Sequence, residues 1–97
     1  MGVPLMEVYV ACFDITDDGL RRRVGDRLLS YGNRVQRSVF EIVVRDRHDL
    51  EALRADLRTL VGDDDDIRFY RICASCRQSS SALDGNAIAD FPAVVIL

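Results

Sequence analysis

The segment Leu5–Asp14, LMEVYVACFD, constrains the fold more than any other stretch of the chain. Val8, Val10 and Cys12 alternate with Tyr9, Ala11 and Phe13, so as a strand it carries apolar side chains on both faces. Such a strand belongs in the middle of a sheet, with something packed on each side. The chain has 97 residues, which allows one core and no second domain. Its longest unbroken apolar run, Val8–Phe13, falls far short of the ~20 residues that cross a bilayer, so no membrane partner is expected. No segment has the basic-then-apolar pattern of a secretion signal. With three cysteines, an odd number, the expectation is a reducing cytoplasm and no disulfide framework.

The remaining elements are read around that strand. Thr16-Asp17-Asp18 supplies candidate N-caps, and Leu20, Val24, Leu28 and Tyr31 form an apolar stripe at helical spacing. A helix is therefore predicted over 18–31, stopped by Gly32. The β-branched and aromatic run Asn33–Val44 is too long for one ordinary strand. It reads as strands over 34–37 and 39–44, reversing near Arg37-Ser38. Leu50, Leu53, Leu57 and Leu60 predict a second helix over 47–61 ended by Gly62. Asp63–Asp66 follows as an acidic, solvated turn, and Ile67–Cys73 as the next strand.

The order β-α-β-β-α-β is that of a ferredoxin-like sandwich, an α+β fold with both helices on one face of an antiparallel sheet. Residues 1–78 make its core. Residues 79–97 form an extension of the same domain, ending in the apolar strand AVVIL. The face away from the helices needs a cover for the two-sided first strand. A homodimer is the economical answer, with Val94, Val95 and Ile96 adding to a sheet edge and serving as partner-binding residues.

Most familiar chemistries are absent. His48 is the only histidine and sits at a helix start, which leaves no Ser-His-Asp or Cys-His machinery. The glycines form neither a dinucleotide fingerprint nor a phosphate-binding loop. Cys73-x-x-Cys76 offers two sulfur ligands where a structural zinc takes four, and it stays open between an incidental pair and a metal or redox site. Asp14 stands where the first strand emerges, just before a helix N-terminus. It is either a turn cap or a rigidly held carboxylate for a hard cation such as Mg²⁺.

Charge carries the clearest signal. All 13 basic residues are Arg, and the net charge is −3. Between Leu20 and Arg37, however, six arginines (Arg21, Arg22, Arg23, Arg27, Arg34, Arg37) face one acid, Asp26. The planar guanidinium suits phosphate, so this segment is a candidate nucleic-acid surface; a solvated helix face is the alternative. Residues 61–97 hold three Arg against six acids, which puts the negative charge at the other end.

Several of these stretches together resemble one family. They are Asp14 within C-F-D-I-T-D-D, Arg21-Arg22-Arg23-Val24, Tyr31-Gly32, R-V-Q-R-S-V-F-E over 34–41, and R-F-Y-R-I-C-x-x-C over 68–76. The chain resembles the small CRISPR-associated adaptation proteins of the Cas2 family, over about Met6–Cys76. The resemblance implies a ferredoxin-like homodimer that bridges dimers of the CRISPR integrase subunit, Cas1, and supports duplex DNA during spacer acquisition. It also implies a second activity, Mg²⁺-dependent endonuclease action on RNA or double-stranded DNA, with Asp14 as the catalytic and metal residue.

Overall fold

A computed structural model describes residues 5–97. Residues 1–4, which the expected core domain includes, lie outside the described residues. Strand β1 (Leu5–Asp14) is followed by α1 (Asp18–Leu29), β2 (Gly32–Gln36), β3 (Val39–Val44), α2 (Arg47–Arg58), β4 (Asp66–Ile72), α3 (Ala74–Gln78) and β5 (Val95–Ile96). The sheet order is β2-β3-β1-β4, with antiparallel neighbours throughout. The expected ferredoxin-like topology is therefore the one observed, with β1 between β3 and β4.

On the helix side, Ala11 and Phe13 of β1 meet Phe40 and Ile42 of β3, and the stripes Leu20-Val24-Leu28 and Leu53-Leu57 close over them. Phe13 and Phe40 stack at 6.0 Å between centroids with 26° between planes. Each helix begins on an aspartate. Asp17 accepts from the Leu20 amide at 2.7 Å, and Asp46 accepts from the Asp49 amide at 2.9 Å. These bonds satisfy backbone donors that the first turn leaves without partners.

The opposite face is covered in part by the chain itself. Val8 lies between Val43 and Ile72 in register, and the three form an apolar strip. Ile88, Ala89, Phe91, Val94 and Ile96 of the C-terminal arm pack over it. The arm is fixed by the Ala89 amide, which donates to Glu41 Oε1 at 2.9 Å. Ala89 is fully buried and has a left-handed backbone, φ 49°, a geometry that this anchoring must hold in place. The arm ends as β5, parallel to β1 through Leu5↔Val95 and Met6↔Ile96. The terminal strand thus pairs with the start of the chain's own central strand, and not with an outer edge of the sheet.

Several boundaries differ from the sequence reading. Helix α1 ends at Leu29 and α2 at Arg58, two and three residues early. Gly32 opens β2 instead of stopping a helix, because it pairs with Ile42 of β3 at close approach: a Cβ on Gly32 would lie 2.7 Å from Ile42 Cα. Asp66 is the first residue of β4 and not the last of a turn. Cys73–Cys76 starts the one-turn helix α3, which the polar composition of that stretch concealed.

Phe40 is wholly buried at the junction of sheet and helices. Phe40→Ala should lower stability by about 3–5 kcal/mol, read as a shift of the urea midpoint with an unchanged m-value.

Candidate nucleic-acid interface

The β1–α1 loop is the hinge of the site. Ile15 is buried and pins the chain just after Asp14. The Arg21 guanidinium donates to the carbonyls of Ile15 at 2.8 Å and Thr16 at 2.9 Å and pairs with Asp18. Two carbonyls and a carboxylate on one planar fork make Arg21 a clamp that sets the direction in which Asp14 leaves the strand.

Arg21 also stands at the rim of an open concavity of about 270 Å³, lined by Phe13, Asp18, Arg21, Arg22, Arg34 and Arg37. Helix α1 supplies Arg21 and Arg22; β2 and the turn after it supply Arg34 and Arg37. Arg34 is further held by the Phe40 ring, its guanidinium carbon 5.1 Å from the centroid. Arg22 and Arg37 are exposed and carry no ion pair among the described residues.

Six arginines that sequence spacing treated as one surface therefore divide. Arg21, Arg22, Arg34 and Arg37 share one concavity. Arg27 bonds Asp56 of α2 at 2.8 Å and ties the two helices together. Arg23 is exposed and lines no part of the concavity.

A second, smaller concavity of about 180 Å³ adjoins the first and shares Phe13 with it. Its other lining residues are Cys12, Asp14, Asp66 and Arg68. Asp14 is exposed and stands directly opposite Asp66 in the β1–β4 register. Arg68 Nε donates to Asp66 at 2.9 Å. Tyr70 first, then Asp66, raises the Arg68 guanidinium above its ordinary pKa, so its charge is secure.

Sequence reasoning missed Asp66 as a neighbour of Asp14, because four consecutive aspartates look alike until a register selects one. The available signal was the antiparallel pairing itself. Two carboxylates at the ends of adjacent strands form a hard-oxygen donor set that suits Mg²⁺. Among the described residues no group of three or more His, Cys, Asp or Glu side chains comes together. One protomer thus offers two carboxylates to an ion and leaves its other positions for water and phosphate oxygens.

The comparisons with known proteins fall on the same residues. The family model for the CRISPR associated protein Cas2 matches residues 6–80. The chain belongs to the Cas2 family. A CRISPR-associated endoribonuclease Cas2 of Rhodospirillum rubrum is 40% identical over 76 residues, 78% of this chain and 61% of that protein. A CRISPR-associated endonuclease Cas2 of Thermus thermophilus is 41% identical over 66 residues, 67% of this chain and 72% of that one. Among solved structures, a chain of a partial Cas6-RT-Cas1–Cas2 complex superposes with a TM-score of 0.78 at 29% identity, covering 88% of this chain and 99% of that one. The chain therefore spans less than two thirds of the Rhodospirillum rubrum relative but nearly the whole of the chain in the complex. No helix among the described residues is long and apolar enough to cross a membrane.

Within this Cas2-family chain, the clamp and the free arginines separate by their effect on stability. Arg21→Ala should cost about 1–2 kcal/mol, because the Ile15 and Thr16 carbonyls lose a charged donor. Arg22→Ala should stay within about 0.5 kcal/mol of the parent protein. Urea denaturation of the two variants side by side checks both values.

Proposed function

We propose that the protein is a CRISPR adaptation subunit. In this reading it is a homodimer that bridges dimers of the integrase subunit and holds duplex prespacer DNA on its arginine surfaces. The observation that carries the reading is the single concavity around which Arg21, Arg22, Arg34 and Arg37 converge from two separate elements. Exposed guanidinium groups suit contacts to phosphates, which carry no base code, and this fits a subunit that accepts DNA of any sequence. Family membership and the fit to a chain of a Cas1–Cas2 assembly support it.

The homodimer is supported by the sheet face the arm leaves bare. Val10, Cys12 and Val39 are half-buried there, and Tyr70 is 51% exposed. Docking of the integrase through Val94, Val95 and Ile96 is supported by β5, which pairs only with β1 among the described residues. Ile96 is already buried against Val8, so Val95 and the outer backbone edge of β5 carry that contact.

Fluorescence anisotropy with labelled duplex DNA over a salt series tests the DNA reading. Binding should weaken linearly in log–log form. Arg22→Ala and Arg37→Ala should each lower the slope by about 1.8 for the dimer, about 0.9 for each protomer's lost phosphate contact, while Arg27→Ala leaves it unchanged. Equal slopes for all four proteins would defeat the reading.

A second activity, Mg²⁺-dependent cleavage of RNA or duplex DNA, is supported by the opposition of Asp14 and Asp66 and by the names of the relatives. Asp14 and Asp66 would hold the ion. When bound, it would supply Lewis acidity and a more acidic water. Asp14 is fixed in position because β1 is paired with β4 up to its end and with β3 as far as Cys12, and Arg21 clamps the loop beyond. Arg68, bonded to Asp66, is placed to meet a phosphate oxygen entering the same concavity. Asp14→Asn should abolish Mg²⁺-dependent cleavage while leaving duplex affinity within about twofold, because the arginine concavity is untouched. Full cleavage by that variant would rule the activity out at this site.

A further inference from the structure

Cys73 and Cys76 play no part in the nucleic-acid reading, yet the fold sets them on one turn at the start of a helix. Strand β4 ends at Ile72, which is held in the apolar cluster under the C-terminal arm. Cys73 follows at once as the N-cap of α3, and Cys76 comes one helical turn later. Cys73 at the N-cap and Cys76 at the third helical position occupy the two places whose side chains reach toward each other across the first turn of a helix. The Cys73 sulfur lies 3.4 Å from Ser75 Oγ, and the amide and thiol of Cys76 face it as well. Cys73 is partly buried and Cys76 is exposed. A two-electron oxidant therefore has access to both.

Cys12 provides an internal contrast. It stands mid-strand opposite Arg68, near the far end of β4 from Cys73, and has no cysteine neighbour. A structural metal does not account for the pair either, since no third Cys, His, Asp or Glu joins it among the described residues.

We propose that Cys73 and Cys76 are a peroxide-oxidisable dithiol, a redox modification site at the junction between β4 and the C-terminal arm. Cys73 is the attacking thiol. Its sulfur takes one oxygen of hydrogen peroxide, the O–O bond breaks, and the departing hydroxide leaves as water after taking a proton. Cys73 is then a sulfenic acid. The Cys76 sulfur, giving up its proton, attacks the Cys73 sulfur and expels the second oxygen as water. Two thiols and one peroxide thus become one disulfide and two waters, and an added dithiol reverses the change.

The surroundings of the two sulfurs assign these roles. Hydrogen bonds from Ser75 and then from Cys76 bring the Cys73 thiol down to about 7, within reach of neutral pH. The hydrogen bond with Cys73 and its negative charge push the Cys76 thiol up, so Cys76 keeps its proton until the sulfenic acid has formed.

The full-length protein, reduced and then treated with hydrogen peroxide without denaturant, provides the test. After alkylation of the remaining thiols, mass spectrometry of the intact chain and its peptides should show a Cys73–Cys76 disulfide, two hydrogens lighter, with Cys12 alkylated. Dithiothreitol should restore three alkylatable thiols. In Cys76→Ser, dimedone should trap a sulfenic acid at Cys73 roughly tenfold faster than at Cys12. In Cys73→Ser, Cys76 should gain no such preference. An intermolecular disulfide, a bridge to Cys12, or equal labelling of Cys73 and Cys12 would overturn the proposal. The parent protein alone decides the first two outcomes, so they do not depend on how the variants fold.

Discussion

Burial of β1 on both faces is the constraint from which the rest of the structure follows. Val8 and Ala11, on opposite sides of the strand, are both fully shielded from solvent. The helices shield Ala11, and the returning C-terminal arm shields Val8. A strand paired on both edges and covered on both faces has almost no freedom to move. Its final residue is therefore delivered to the surface in a defined position. That residue is Asp14, which lines the smaller concavity, while its neighbour Phe13 lines both.

The arginines show how one residue type serves two purposes within a short distance. Arg21 and Arg27 are engaged with backbone carbonyls or with Asp56 and hold the scaffold together. Arg22 and Arg37 have no such partners among the described residues and face solvent. A guanidinium already bonded to protein oxygens can offer less to a phosphate than a free one. The local positive charge is therefore a poor measure of the nucleic-acid surface, and the arrangement of partners is a better one.

Much of this was legible in the chain. The alternation of Val8 to Phe13 placed β1 at the centre of the sheet, and the leucine spacings placed both helices on one face, as observed. The errors have a common cause. Gly32 has the pattern of a helix stop, whereas its missing side chain serves the close pairing of β2 with β3. Asp66 was read as part of a solvated run, whereas strand pairing singles it out as the partner of Asp14. Each depends on a contact between residues distant in sequence, and local pattern carries no record of such contacts.

The sequence by itself determined the order of elements, the two-faced central strand, the concentration of Arg between 20 and 37, and the family resemblance. These follow from periodicity, composition and motif, which act over a few neighbouring residues. Only the tertiary structure decided which arginines converge, which aspartate stands beside Asp14, and that the terminal strand returns to its own β1. Those outcomes depend on register and on which apolar strip needs covering, and both are settled only when separate segments pack against one another.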